Sequence, residues 1–209
     1  MGKSRTSGLP KTGEGLGMIN RSSSTTIKSS TPIGTAISNG AGLYANEIQN
    51  ARDAMEREYG NVISQANLSV ADMGNASALG AYGDGTVYMN QKFVSNRNMT
   101  DAMKQAEIDG FHPKIGNKTG AEAVTAHELG HFLADKAMTK AGISERDIVD
   151  RASKTLGIKT NNVAGLISGY ARYNYAETIA EASADVFCNG KNASKASIAI
   201  MGEIKRILK

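Results

Sequence analysis

The residues best suited to chemistry in this 209-residue chain are His127-Glu128-Leu129-Gly130-His131. A four-residue step along an α-helix turns by about 400°, so both imidazoles would leave one face a single turn apart. Two imidazoles so placed can share a metal ion. Glu128, on the adjoining face, can act on a water held by that ion without ligating it. With three His and 11 Glu in the chain, chance yields about 0.002 such matches, so coincidence is a poor explanation. The spacing predicts a zinc site, with Glu128 as the general base that takes a proton from the attacking water.

A catalytic zinc takes three protein ligands and a water, so one ligand must come from elsewhere. The metzincin pattern would continue with Gly at position 134 and His at 137; Ala134 and Ala137 stand there, which excludes that class. Glu177, Glu181 and Asp185 recur every fourth residue and so share one face of an Ala- and Ile-rich segment without Lys or Arg. Three like charges on one face repel one another, and a cation held among them removes that cost.

The run Tyr170-Ala-Arg-Tyr-Asn-Tyr-Ala-Glu177-Thr-Ile-Ala-Glu181-Ala resembles the active-site segment of zinc metallopeptidases of the anthrax lethal factor type. It also looks like related domains of bacteriophage head-associated proteins and bacterial toxins. In that family an Ala-Glu-x-x-Ala-Glu-Ala stretch follows H-E-x-x-H, and a Tyr stands seven residues before its first Glu. Here Glu177 lies 46 residues after His131, and Tyr170 lies seven before Glu177. The resemblance covers about residues 80–190. It implies a zincin-like metallopeptidase domain that binds Zn2+ through His127, His131 and Glu177. In it Tyr170 steadies the oxyanion, and Glu181 holds a ligating His from behind. It further implies a polypeptide substrate, phage structural proteins as partners, and a place in the bacterial host cytoplasm or on the virion.

A second register stays open. Glu181-Ala-Ser-Ala-Asp185-Val-Phe is similar to the Glu-x-x-x-Asp segment of thermolysin-type enzymes, which would make Glu181 the ligand and Asp185 the acid behind it. Only the first register also accounts for Tyr170. A different class of function is a structural or interaction protein of a phage particle that keeps zinc for stability, and such a protein would have no use for Glu128 as a base.

The elements that must position these residues can be read from spacing and punctuation. Thr119 with Glu122 forms a capping box and Gly142 a stop, which predicts a long helix carrying the His pair. Asn174 with Glu177 repeats the start signal for a helix over 174–189. Further helices are predicted at 43–59, 98–108, 144–156, 161–168 and 194–208. Alternation at Leu68 and Val70 predicts one strand. Thr86–Met89, after the Asp84-Gly85 turn, predicts another, a candidate edge against which an extended peptide could add. Strands first and helices afterwards argue for an α+β fold with a small antiparallel or mixed sheet. His112, in a Gly-Phe-His-Pro loop, reads as a structural or solvated histidine, and Cys188 as a small packing residue.

Composition narrows the classes. The chain is 40% hydrophobic and 21% charged, enough apolar surface for a real core. One cysteine excludes an internal disulfide framework. No signal-peptide pattern and no membrane-length apolar run is present, so no membrane partner is expected. The net charge of +4 resides in residues 1–40, which hold five basic residues against one acidic, while 41–209 hold 19 of each. A nucleic-acid surface is therefore expected only through those first 40 residues. Rich in Gly, Ser and Thr, they read as a disordered tail before a single domain at 41–209.

Overall fold

The computed structural model describes residues 29–34, 43–74, 78–94 and 98–209. Strand β1 (Ser29–Pro32) is followed by helix α1 (Leu43–Tyr59) and strands β2 (Asn67–Asp72), β3 (Gly80–Gly83) and β4 (Thr86–Asn90). The rest is helical: α2 (Gln91–Val94), α3 (Asn98–Ile108), α4 (Gly120–Ala141), α5 (Glu145–Leu156), α6 (Thr160–Val163), α7 (Tyr175–Asn189) and α8 (Lys195–Leu208). This is an α+β architecture with a small mixed sheet. No helix among the described residues is long and apolar enough to cross a membrane.

The sheet order is β1-β2-β4-β3. β2 runs parallel to β4, while β1 and β3 are antiparallel to their neighbours. Asp84 and Gly85 both take positive φ (49° and 73°), the combination a two-residue type I′ turn needs to reverse β3 into β4. Thr86–Met89 is thus a strand as predicted, but an interior one, paired on both sides. The predicted edge is corrected to β3, which among the described strands has a neighbour only on its β4 side. Two-residue alternation reports that a segment is a strand; it does not report how many neighbours the strand has.

Ser29–Pro32 departs from the tail expected over residues 1–40. It pairs with Ser69–Asp72 of β2. An edge strand is held by ladder hydrogen bonds and needs no apolar alternation of its own, which is why composition pointed elsewhere. Residues 1–28 and 35–40 of the predicted tail lie outside the described residues.

Leu68, Val87 and Met89 of the sheet, Ile48 and Met55 of α1, and Leu129, Phe132 and Leu133 of α4 pack into the main core. α4 runs through its centre: from Gly120 to Ala134 every residue except Glu122 is buried. It starts with the predicted capping box at Thr119 and ends at Gly142 in the left-handed conformation. The predicted 161–168 helix is shorter than expected, with α6 giving way to a 3-10 turn over Ala164–Leu166. α7 packs against α4 more extensively than any other pair of elements meets. Gly130 sets that approach, because a Cβ there would stand 2.6 Å from Ser183 Cβ and 2.9 Å from Ala180 Cα. Ser183 Oγ then donates to the Ala126 carbonyl across the contact (2.7 Å).

Candidate metal centre

The close α4–α7 crossing brings the two sequence motifs together. His127 and His131 leave one face of α4, and Glu177 reaches them from the first turn of α7. Glu177 Oε2 lies 3.2 Å from His127 Nε2 and 3.5 Å from His131 Nε2. Two ligands about 2.1 Å from a shared tetrahedral ion stand about 3.4 Å apart, so these separations fit a common metal. His127 Nε2 and Glu177 Oε2 are buried and make no hydrogen bond. His127, His131 and Glu177 form a buried group that could hold a metal ion.

Asn174 caps α7 by accepting from Glu177 N (2.8 Å). The reciprocal half of the predicted capping box is missing, because the Glu177 side chain is engaged with the imidazoles instead. Glu181, one turn further along α7, lies behind His127, with Oε1 2.9 Å from Nδ1. Its other partners are His112 Nδ1 (2.7 Å) and Ser168 Oγ, which donates to Oε2 (2.7 Å). Asp185 does not reach the group: its carboxylate accepts from Asn189, Ser194 N and Ser197 Oγ, tying α7 to the start of α8. Of the three acids predicted to share one cation, Glu177 joins the His pair, Glu181 stands behind His127, and Asp185 is spent on the start of α8, whose own cap is Ser194.

Glu128 is fully buried, and its Oε1 has no hydrogen-bond partner. Strand β3 crosses directly over it, since a Cβ on Gly80 would meet Glu128 Oε1 at 2.9 Å. Burial pushes the Glu128 carboxyl up to about 7, against the lowering influence of His127 and His131. For Glu177 and Glu181 burial also acts upward, but the adjacent imidazoles outweigh it and lower each carboxyl to about 2. The same contacts act in reverse on His127. Burial would lower it, yet Glu177 and Glu181 raise it to about 10.

Tyr170 is buried on a 3-10 turn over Tyr170–Arg172, its ring centroid 6.1 Å from that of His127. Thr178 Oγ1 pins this turn to α7 by donating to the Ala171 carbonyl (2.7 Å). Burial first, then the nearby carboxylates of Glu177 and Glu128, raises the phenol above its ordinary value, so it stays protonated and able to donate. On the other side, Tyr82 of β3 stacks on His131 (centroids 6.5 Å apart) and donates to Asp135 (2.8 Å).

His112 is the residue the sequence left out. It is buried, not solvated, and its ring stands 5.4 Å from Tyr170 and 6.3 Å from His127. The available signals were its being the only other histidine and the Pro113 that follows, which restricts its backbone to extended conformations. Ser168 had no such signal. Cys188 is half-buried against the core, and burial pushes its thiol up to about 12, in line with a packing role. No known protein family, curated protein or solved structure matches the chain.

Proposed function

We propose that this chain is a zincin-type, zinc-dependent metalloendopeptidase that hydrolyses peptide bonds with water. One observation carries the proposal: two imidazoles and a carboxylate converge at metal-ligand separations beside a buried carboxylate with an unpartnered oxygen. The donor set of His127, His131 and Glu177 suits zinc, with one position left for water. Bound zinc would supply an acidified water and polarise the scissile carbonyl.

The chain's own groups do the rest. Glu128, raised to about 7 by its burial, takes the water's proton and hands it to the leaving amine. Tyr170, kept protonated, donates to the oxyanion that develops at the carbonyl. Glu181 fixes the tautomer of His127 by accepting from Nδ1, which leaves Nε2 for the metal. Among the described strands β3 has no neighbour on its outer side, and an extended peptide added there would lie near Glu128, which Gly80 approaches. The expectations of phage structural proteins as partners and of a virion or host-cytoplasm location rest on the family resemblance alone.

A purely structural zinc would have its fourth position filled by protein and no need of Glu128. The unpartnered Glu128 oxygen favours hydrolysis over that alternative. The test is elemental analysis of zinc-reloaded protein together with cleavage of a peptide library followed by mass spectrometry. About one zinc per chain is expected, and Glu128→Gln should keep the metal while losing most of the activity. A zinc content below about a tenth of an equivalent, or a Gln variant as fast as the parent, would refute the proposal.

A further inference from the structure

We propose that His112 is a positioning residue for the metal centre: its Nδ1–H locks the Glu181 carboxylate against His127 and so fixes which nitrogen His127 offers to the metal. The proposal rests on the metalloenzyme reading above. It concerns a loop that neither motif includes.

Glu181 is fully buried, and among the described residues no Lys or Arg pairs with it. Its carboxylate is held by three donors: His112 and His127 converge on Oε1, and Ser168 holds Oε2. A carboxylate accepts only, so each imidazole must carry its proton on Nδ1. For neutral His127 that leaves the Nε2 lone pair on the side of Glu177, where a ligand is needed. The terminal torsion of a glutamate is broad and confers little orientation of its own. Donors fixed by the surrounding backbone must therefore supply it.

The His112 loop is built for that. Phe111 N and His112 N both donate to the Ala106 carbonyl at the end of α3 (2.8 and 3.2 Å). Gly169 N and Tyr170 N donate to the carbonyls of Gly110 and Phe111 (both 2.9 Å), stitching this loop to the one that carries Ser168 and Tyr170. Ser168 Oγ, besides donating to Glu181, accepts from Ala171 N (3.0 Å). His112 thus cannot follow Glu181 if that side chain swings, and acts as a stop. A packing role alone is a poor account of the residue. His112 buries its second nitrogen, Nε2, without a partner, a cost that a phenylalanine in the same space would avoid.

The two properties of the ring can be separated. His112→Phe keeps an aromatic ring and removes the donor; His112→Asn loses the ring but places an amide N–H near the position of Nδ1. Zinc affinity of the purified full chain, measured by competition with a chromophoric chelator, is the readout. The Phe variant should bind zinc about 10- to 100-fold more weakly, as on loss of a partner behind a ligand, and the Asn variant within about threefold of the parent. If the Phe variant lacks the parent's helical circular dichroism, His112→Gln replaces it. Its amide extends toward the Nε2 position, leaves Glu181 without that donor, and should show the same loss. Phe or Gln variants that bind zinc like the parent, or an Asn variant as weak as they are, would overturn the proposal. A folded parent that binds no zinc overturns the metalloenzyme reading and this proposal together.

Discussion

Glu181 Oε1 meets His127 on the nitrogen opposite the one that faces Glu177: Nδ1 at 2.9 Å on one side, Nε2 to Glu177 Oε2 at 3.2 Å on the other. The two glutamates of α7 therefore hold unequal positions about one imidazole, and substitution separates them. Glu177→Ala removes a donor from the very group that could hold the metal. Glu181→Ala should lower zinc affinity by the factor of about 10 to 100 typical of a partner behind a ligand, and Glu177→Ala by more. Chelator competition measures both, and the reverse order would restore the thermolysin-like register.

Tyr170 touches the problem from the side of the transition state. If its hydroxyl meets the oxyanion only as charge develops, Tyr170→Phe leaves zinc content and substrate affinity near those of the parent. Its turnover should fall on the order of 100- to 1,000-fold, the usual cost of one such donor. Steady-state kinetics on a cleaved peptide decides. A rate within about threefold of the parent removes Tyr170 from the mechanism, and with it the reason for preferring Glu177 on the seven-residue offset.

How much of this was legible in the sequence follows from how local each signal is. The α4 helix, its capping box and its paired imidazoles are encoded within one segment, and all were readable there. The pairing of α4 with α7 was readable from the acidic spacing, yet the departure of Asp185 toward α8 was not, since it depends on Ser194 and Ser197 beyond the helix end. His112 meets Glu181 across 69 residues of chain, and nothing near a Gly-Phe-His-Pro loop announces such a partner. The interior place of β4 and the pairing of Ser29–Pro32 were hidden for a related reason. Strand neighbours are chosen by the whole sheet, and a four-residue segment carries no record of them.

Gly130 makes the helix crossing a testable part of the site. An added Cβ would stand 2.6 Å from Ser183 Cβ and 2.9 Å from Ala180 Cα, atoms that move only if α7 moves. Overpacking costs about 1–3 kcal/mol, and contacts below 3 Å to a backbone atom and a Cβ place Gly130 in the upper part of that range, above the ~1 kcal/mol that alanine gains in helix propensity. Gly130→Ala should thus lower the unfolding free energy and weaken zinc binding, because Glu177 and Glu181 ride on the displaced helix. Gly202 of α8 is the control, with nothing within 4 Å of the position its Cβ would take. There the propensity gain stands alone, so Gly202→Ala should stabilise by up to about 1 kcal/mol and leave zinc affinity unchanged. Chemical denaturation of both variants decides, and a stabilised Gly130→Ala would mean that the crossing is looser than described.

The charges of the centre predict how the metal-free protein responds to pH. Glu177 and Glu181 are lowered from 4.5 to about 2, so their contribution is present above about 4.5 and is lost as pH falls toward 2. Glu128, raised from 4.5 to about 7, and His127, raised from 6.5 to about 10, work the other way. The stabilisation of His127 by its glutamates is full below about 6.5 and is lost as pH rises through about 10. The cost of burying the Glu128 charge is absent below about 4.5 and grows as pH rises to about 7. The chelated protein should therefore be most stable at about pH 5 and on the alkaline side lose up to about 1.4 kcal/mol per pH unit for each proton the folded state holds in excess. Zinc bound through His127 would take the place of its proton, so the stabilisation it confers should grow between about pH 6 and pH 9 as that proton is displaced more easily. Denaturant titrations at about pH 5 and pH 8.5, with chelator and with zinc, test both halves. A chelated protein more stable at the higher pH would show that His127 does not keep its proton between the two glutamates.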